Sequence, residues 1–227
     1  MNTALSLLES LHLLAIENKK GHFLADGIAF PYCLGGAILL QLSIMEKVEV
    51  VGGKVVVKNH HLPKDALLSQ LFSMILNAKK PKSLRYWIER FGNKSRKIRK
   101  VTLESLISKG ILTKKDSKIL WVIPNTKYPT ANPSPELNLR KRLVGIIKGN
   151  DSGSAMDIML ISLVNTCNLN REVYGKEQAK LFKKPIKELL ADNEQIAKVG
   201  KTVKEIHDLI IVLIVVMITT TTVTTSS

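Results

Sequence analysis

Cysteine and aromatic residues are scarce in this sequence, and each scarcity excludes a class of protein. The two cysteines, Cys33 and Cys167, lie in apolar surroundings without a Cys-x-x-Cys spacing. We interpret them as buried, inert thiols of a reducing compartment, although a single disulfide between them stays possible. Aromatic residues make up 5% of the chain, too few for a protein that stacks bases of single-stranded nucleic acid.

Motifs that carry catalysis are also missing. The sequence contains neither a glycine-rich phosphate loop nor a nucleophile elbow. Asp26, Glu46 and Asp157 are isolated carboxylates, which more often cap helices or face solvent. His60 and His61 are adjacent, but no further ligand follows at a metal-binding spacing, so we interpret them as a plain loop pair. We therefore expect a protein that is not an enzyme and has no metal or cofactor.

Long apolar runs are few: residues 209–218 are wholly apolar and are followed by a threonine-rich stretch, while the run at residues 33–45 is interrupted by Gln41 and Ser43. A membrane-spanning helix needs about 20 apolar residues. A buried terminal helix is therefore the preferred prediction, with a tail anchor as the alternative. Near the N-terminus, Glu9 and His12 interrupt the leucines, which is not typical of a secretory signal. We expect a cytoplasmic protein.

Positive charge is abundant, with 34 Lys and Arg against 19 Asp and Glu and a net charge of +15. Most of the excess falls in residues 79–118, where only Glu89, Glu104 and Asp116 are acidic. The cations there are Lys79, Lys80, Lys82, Arg85, Arg90, Lys94, Arg96, Lys97, Arg99, Lys100, Lys109, Lys114, Lys115 and Lys118. Such a concentrated field indicates an anionic partner, either lipid headgroups or nucleic acid.

The centre of this basic region predicts a helix that begins cationic and ends apolar, with Asn93 as its N-cap and Gly110 at its end. Helical spacing places two arginines and two leucines on one stripe, namely Arg96, Arg99, Leu103 and Leu106. Lys94, Lys97 and Lys100 crowd the same first turns. A helix N-terminus already carries partial positive charge, so cations there are unfavourable unless an anion neutralises them. This stretch predicts an anion site; the alternative is a solvated charged face.

The rest of the chain predicts a single, mainly α-helical domain over residues 1–227 with two short β-hairpins. Further helices are expected at residues 3–18, 33–45, 64–78, after Pro81, and at 136–148, 155–169, 177–190 and 195–218. The first hairpin surrounds Gly52-Gly53 in residues 48–58. The second covers residues 111–123, with the polar segment 113–118 as its turn and the strand-like segment 119–123 after it. Residues 125–135 predict a loop.

The order of these elements, together with five short stretches, resembles the Golgi phosphoprotein 3 family. The stretches are LSLLESLHLLAIENKKG from Leu5, LGGAILLQLSIMEKVEV from Leu34, YWIERFG from Tyr86, RKIRKVTLESLISKGIL from Arg96 and MDIMLISLVNTCNL from Met156. The resemblance implies a helical domain with a hairpin near a basic pocket. It also implies binding of phosphatidylinositol 4-phosphate at Golgi membranes, and sorting of glycosyltransferases by their cytosolic tails.

At the residue level, the resemblance implies that Arg96 and Arg99 match two cations of the headgroup pocket, with Lys94, Lys97 and Lys100 adding attraction. It implies a second hairpin, carrying Ile119, Leu120 and Trp121, for membrane contact or self-association. A tryptophan and a further arginine of the family pocket would fall near Asp26 and Gly35, where this sequence differs. We therefore expect a looser preference for anionic lipids, outside the Golgi setting.

A nucleic-acid-binding protein is the alternative, because a basic helix followed by a hairpin is also typical of winged-helix proteins. Against it, the arginine stripe merges into leucines instead of forming an exposed reading face. A homo-oligomer and a partnership with cytosolic tails of membrane proteins remain open from the sequence.

Overall fold

The structure is a computed structural model that describes residues 4–17, 21–24, 29–119, 123–191 and 201–224. It is mainly α-helical with two antiparallel hairpins, as predicted. The helices are α1 Leu7–Leu14, α2 Ala29–Ile44, α3 Ala66–Leu76, α4 Leu84–Gly92, α5 Ser95–Ser108, α6 Ser134–Ile147, α7 Ala155–Thr166, α8 Asn170–Tyr174, α9 Lys176–Leu181, α10 Lys183–Ala191 and α11 Lys201–Thr224. The strands are β1 Val48–Val51, β2 Lys54–Val57, β3 Lys115–Ile119 and β4 Ile123–Lys127.

Helix α2 is the buried centre of the fold, as its apolar sequence predicts, and it packs against α4, α7 and α11. It begins earlier than predicted because Pro31 lies in its first turn, where a missing N–H costs no intrahelical hydrogen bond. A β-carbon on Gly35 would lie 2.2 Å from the carbonyl oxygen of Ile88 in α4. Gly35 therefore permits the close backbone approach that the sequence predicts.

Helix α1 is shorter than predicted but well capped. The Ser6 hydroxyl accepts from the backbone N–H of Glu9 at 3.1 Å, while the Glu9 carboxylate accepts from the Ser6 N–H at 2.8 Å. Both interactions satisfy donors that a helix start leaves unpaired. After the helix ends, the chain doubles back so that Phe23 pairs with Ile16. This return places Phe23 beside α1 and below α5.

The first hairpin forms as predicted, with Val48 paired to Val57 and positive φ angles at both Gly52 and Gly53. The second hairpin was predicted with the wrong strand boundaries. Segment 115–118, interpreted as the turn, belongs to β3, and the predicted loop 125–135 begins inside β4. Pairs such as Asp116 with Thr126 join polar residues, so the apolar pattern that sets register elsewhere is weak here.

The C-terminal part differs from the prediction in three places. The predicted helix 155–169 ends at Thr166, and the short helix α8 that follows was not predicted. Residues 195–200 of the predicted last helix lie outside the described residues. The predicted helix 177–190 is divided into α9 and α10, with Phe182 buried between them. Pro185 explains the division, because it lacks the N–H that would bond back to Leu181 and it fits the first turn of a new helix.

The terminal helix α11 buries Val203, Ile206 and Ile210 against the core, as expected of a terminal core helix, but Ile211 and Val212 of the apolar run 209–218 are exposed. Ile210 lies against Gly36 of α2, where a β-carbon would be 2.0 Å from the Ile210 side chain. Within the described ranges, no helix is both long enough and apolar enough to cross a membrane.

Candidate anion-binding site

Helix α5 begins at Ser95 with Lys94 as its N-cap, and not at Asn93, which instead caps the end of α4. Neither a side-chain cap nor an acidic residue is present in its first turn. At the other end, Gly110 has φ +70° and Ile111 N–H donates to the Leu106 carbonyl, a Schellman motif that ends the helix where predicted. The positive end of this helix dipole therefore has no negative side chain in its own first turn.

The side chains of the predicted stripe become more buried from the start of α5 towards its end. Leu103 and Leu106 are buried in a small apolar cluster with residues of α1. Arg99 is half-buried and Arg96 is exposed. The buried part of the stripe fixes the rotation of α5 about its axis, so Arg96 and Arg99 are held on one side.

The predicted lysines lie around the same end of the helix. Lys97 and Lys100 are exposed, whereas Lys94 is half-buried. Lys100 is 4.0 Å from Glu104, an exposed pair one turn apart that water weakens strongly. In the described part of the chain, neither Arg96 nor Lys97 makes an ion pair.

Arg99 is supported from below by an aromatic stack that sequence reasoning missed. Its guanidinium carbon lies 4.6 Å from the centre of the Phe23 ring, a cation–π contact. Phe23 in turn contacts Phe30 at 5.1 Å and His12 at 6.0 Å between ring centres. The stack holds the Arg99 side chain in place before any ligand binds. Phe23 lies in a segment without periodicity, so the sequence alone carries no signal for this contact.

His12, at the base of the stack, is fully buried and donates from Nδ1 to the Leu8 carbonyl at 2.7 Å. Burial is the main reason that its pKa lies at about 4 instead of 6.5. The hydrogen bond to Leu8 opposes this shift, and the Arg99 cation adds to it. His12 is therefore neutral at pH 7 and adds no charge to the basic surface.

The far end of α5 is joined to α1 through the buried carboxylate of Glu9. Lys109 lies 2.6 Å from Glu9, and the Ser105 hydroxyl donates to the same oxygen at 2.8 Å. Burial alone would raise the pKa of Glu9, but hydrogen bonds from Lys109, Ser6 and Ser105 outweigh it and lower the pKa. This junction, together with the apolar cluster, sets the direction in which the cationic end of α5 projects.

Other residues named from the sequence are placed differently. Gly35 faces the α4 backbone, so no arginine side chain fits at that position in this packing. Asp26, Leu120 and Trp121 lie outside the described residues. Ile119 ends β3 and pairs with Ile123.

A cavity of about 670 Å³ lies at the opposite end of α5, beside the starts of α1 and α7. Two cations line it, but each is paired with a buried carboxylate. Lys109 contacts Glu9, as described above, and Arg142 lies 2.9 Å from Asp157. Charge in this cavity is therefore largely neutralised within the protein.

A serine–histidine–aspartate series also occurs, but its geometry does not suit catalysis. His207 Nε2 contacts the Ser162 hydroxyl, and His207 Nδ1 lies 3.3 Å from Asp208. Ser162 is only 1% exposed, and it lies within α7 where α11 packs. A substrate carbonyl cannot reach it, so this series joins two helices.

A scan of the sequence against models of known families matches residues 7–208 to Golgi phosphoprotein 3 (GPP34). The chain belongs to the Golgi phosphoprotein 3 family. The match runs from the start of α1 into α11 and includes the cationic helix α5 and both hairpins. Proteins of this family associate with the Golgi membrane surface, and the family is not one of enzymes.

A named relative is similar over most of the same region. This chain is 25% identical over 165 residues to vacuolar protein sorting-associated protein 74 of Schizosaccharomyces pombe. The alignment covers 63% of this chain and 48% of the relative. The chain thus spans about half the length of that relative.

Proposed function

We propose that this protein is a peripheral membrane protein that binds anionic phospholipid headgroups through the cationic end of α5. The observation that carries the proposal is the exposed Arg96 and Lys97 at a helix N-terminus without acidic residues in its first turn. A phosphate there would be attracted both by the side chains and by the helix dipole. Membership of a family associated with Golgi membranes supports the same conclusion.

The two arginines suit a phosphate better than lysines would. A guanidinium presents a planar fork that can hold two phosphate oxygens. Arg99 is already oriented by Phe23, so little side-chain freedom is lost when a headgroup binds. The surrounding lysines add on the order of 1 kcal/mol each near an anionic leaflet. Together they give reversible membrane binding on a cytoplasmic surface.

Phosphatidylinositol 4-phosphate, the lipid that the family resemblance implies, is the first headgroup to test. Recruitment of cytosolic tails of membrane proteins, as an adaptor, is the second part of the proposal and rests on the family alone. The connection between β3 and β4, which contains Leu120 and Trp121 and begins after Ile119, is proposed to contact the membrane or a second copy.

The test is vesicle sedimentation with a charge reversal at exposed positions. R96E/K97E changes no buried group, so we expect the fold to persist and binding to vesicles with phosphatidylinositol 4-phosphate to fall at least about a hundredfold. K180E/K183E, on exposed parts of α9 and α10, is the matched control and should retain most binding. Circular dichroism checks folding in each variant.

Arg99 needs a separate variant because its side chain also packs on Phe23. R99K keeps the charge but removes the planar fork, and we expect a loss of roughly tenfold. Full binding by folded R96E/K97E would remove this helix end from the mechanism and overturn the proposal.

A further inference from the structure

A second cationic concavity lies between α3 and α4, and none of its lining residues belongs to the proposed anion site on α5. Its volume is about 380 Å³, and the residues that line it include Gln70, Asn77, Lys82, Tyr86, Trp87 and Arg90. Lys82 precedes α4 and Arg90 lies in its last turn, so the two cations border the groove from opposite ends of one helix. The sequence places both in the basic region but does not indicate a pocket.

The groove is lined by two cations but by no carboxylate. Glu89, the nearest acidic residue in sequence, is held by Arg85 at 2.8 Å. In the described part of the chain Arg90 makes no ion pair, and the Lys82 ammonium lies 5.5 Å above the Tyr86 ring. Both positive charges thus lack a carboxylate partner.

Trp87 provides an independent observation. Its side chain lines the groove, yet the residue is only 2% exposed, and its indole N–H has no hydrogen-bond partner in the described structure. Buried polar groups are normally paired, so an unpaired donor in a residue that lines a groove indicates a site for an external hydrogen-bond acceptor. Stacking on Phe91, with ring centres 5.5 Å apart, fixes the orientation of the indole.

The larger cavity beside α1 and α7 differs from the groove in how its cations are paired. Its cations, Lys109 and Arg142, are each neutralised by a buried carboxylate within 3 Å. The smaller groove has cations of the same kind but nothing to neutralise them. An external anion is therefore attracted to the groove and not to the larger cavity.

We infer that the groove between α3 and α4 is a binding site for a small phosphate-bearing polyol, of which a phosphorylated inositol ring is the model. Lys82 and Arg90 would each attract a phosphate group at one end of the groove, and the amides of Gln70 and Asn77 would bond to ring hydroxyls. The half-exposed Tyr86 ring provides a flat surface for the face of the polyol. An extended acidic peptide fits less well, because a volume of about 380 Å³ accommodates only one headgroup-sized ligand.

The site is independent of the proposed membrane-binding surface on α5. Phosphorylated inositol can reach it either as a soluble metabolite or as the headgroup of a membrane lipid. Because α4 leads directly into α5, a headgroup in the groove and a second phosphate at Arg96 could be held by the same molecule of protein.

The experiment uses the full chain and calorimetric titration with inositol 1,4-bisphosphate and with inorganic phosphate. We expect saturable binding of inositol 1,4-bisphosphate, weakened about tenfold or more in K82Q/R90Q. W87F keeps an aromatic ring but removes the N–H, and it should weaken binding severalfold. K180Q/K183Q loses the same charge elsewhere and should bind as the wild type does. Circular dichroism confirms folding.

Tryptophan fluorescence in a W121F background, where Trp87 is the remaining indole, reports the site directly. A saturable change on adding inositol 1,4-bisphosphate, retained in R96E/K97E, supports the groove as distinct from the α5 surface. Vesicles containing phosphatidylinositol 4-phosphate distinguish the sources. If K82Q/R90Q also lowers vesicle binding, the ligand is a lipid headgroup; if only soluble binding falls, it is a free metabolite.

Three results would overturn the inference. The first is the absence of saturable binding by the wild type. The second is binding that K82Q/R90Q leaves unchanged. The third is preferential binding of a polyglutamate peptide over both phosphates.

Discussion

His12 couples the support of Arg99 to pH. Its folded pKa of about 4 lies below the ordinary 6.5, so between these values the unfolded chain binds more protons than the folded one. Stability therefore falls as pH is lowered from about 6.5 to 4, and this contribution is fully present only above 6.5. The shift corresponds to about 3 kcal/mol.

We predict that urea unfolding of the wild type loses about 2 kcal/mol of this contribution between pH 7 and pH 5. H12L should lack that part of the dependence, because no group titrates at that position. H60Q/H61Q removes two exposed histidines and should keep the wild-type difference. An equal pH dependence in H12L and the wild type would show that His12 is not the responsible group.

Helix packing depends on a glycine whose neighbour cannot move aside. A β-carbon at Gly35 would meet the backbone carbonyl of Ile88, which belongs to α4 and cannot rotate away as a side chain can. We predict that G35A lowers the free energy of unfolding by about 2 kcal/mol or more, despite the better helix propensity of alanine.

Gly145 in α6 is the matched control, since a β-carbon there has no neighbour within 4 Å. G145A should raise stability by roughly 0.5–1 kcal/mol in the same chemical denaturation experiment. A loss of stability in both variants would indicate that propensity and packing have been assigned wrongly.

The elements that could be predicted are those whose signal is local. The Gly52-Gly53 turn, the end of α5 at Gly110 and the buried α2 depend on backbone conformation or on continuous apolar sequence. The prediction of the second hairpin failed because most residues of its strands are polar, so no alternation of apolar and polar residues marks where the strands begin and end. The division at Phe182 could have been predicted from Pro185. The prediction missed it because the helical periodicity continues on both sides of the proline.

The cations of the candidate site could be predicted from the sequence, whereas the side chains that hold them in position could not. Arg96 and Arg99 follow from charge and helical spacing, and both lie at the cationic end of α5. The Phe23 ring below Arg99 comes from a segment without periodicity. The groove of Lys82, Trp87 and Arg90 requires α3 and α4 to lie on opposite sides of it, an arrangement that no local pattern specifies.

The whole molecule carries a net charge of +15, and this field alone favours any polyanion. Salt dependence cannot identify the partner, because binding to a membrane and binding to DNA are both weakened by salt. The shape of the cationic surface can identify it. A helix that reads a DNA groove needs an exposed face along several turns.

Helix α5 exposes cations only in its first turns, and its continuation through Leu103 and Leu106 is buried against α1. A helix that presents cations only at its end fits the plane of lipid headgroups on a membrane better than it fits a groove of DNA. We therefore predict that phosphatidylinositol 4-phosphate vesicles displace labelled duplex DNA when the two are matched in total accessible phosphate, as followed by fluorescence anisotropy. R96E/K97E should lose this preference while K180E/K183E retains it. If DNA instead displaces the protein from vesicles, the basic surface binds nucleic acid, and nucleic-acid binding replaces lipid binding as the preferred function.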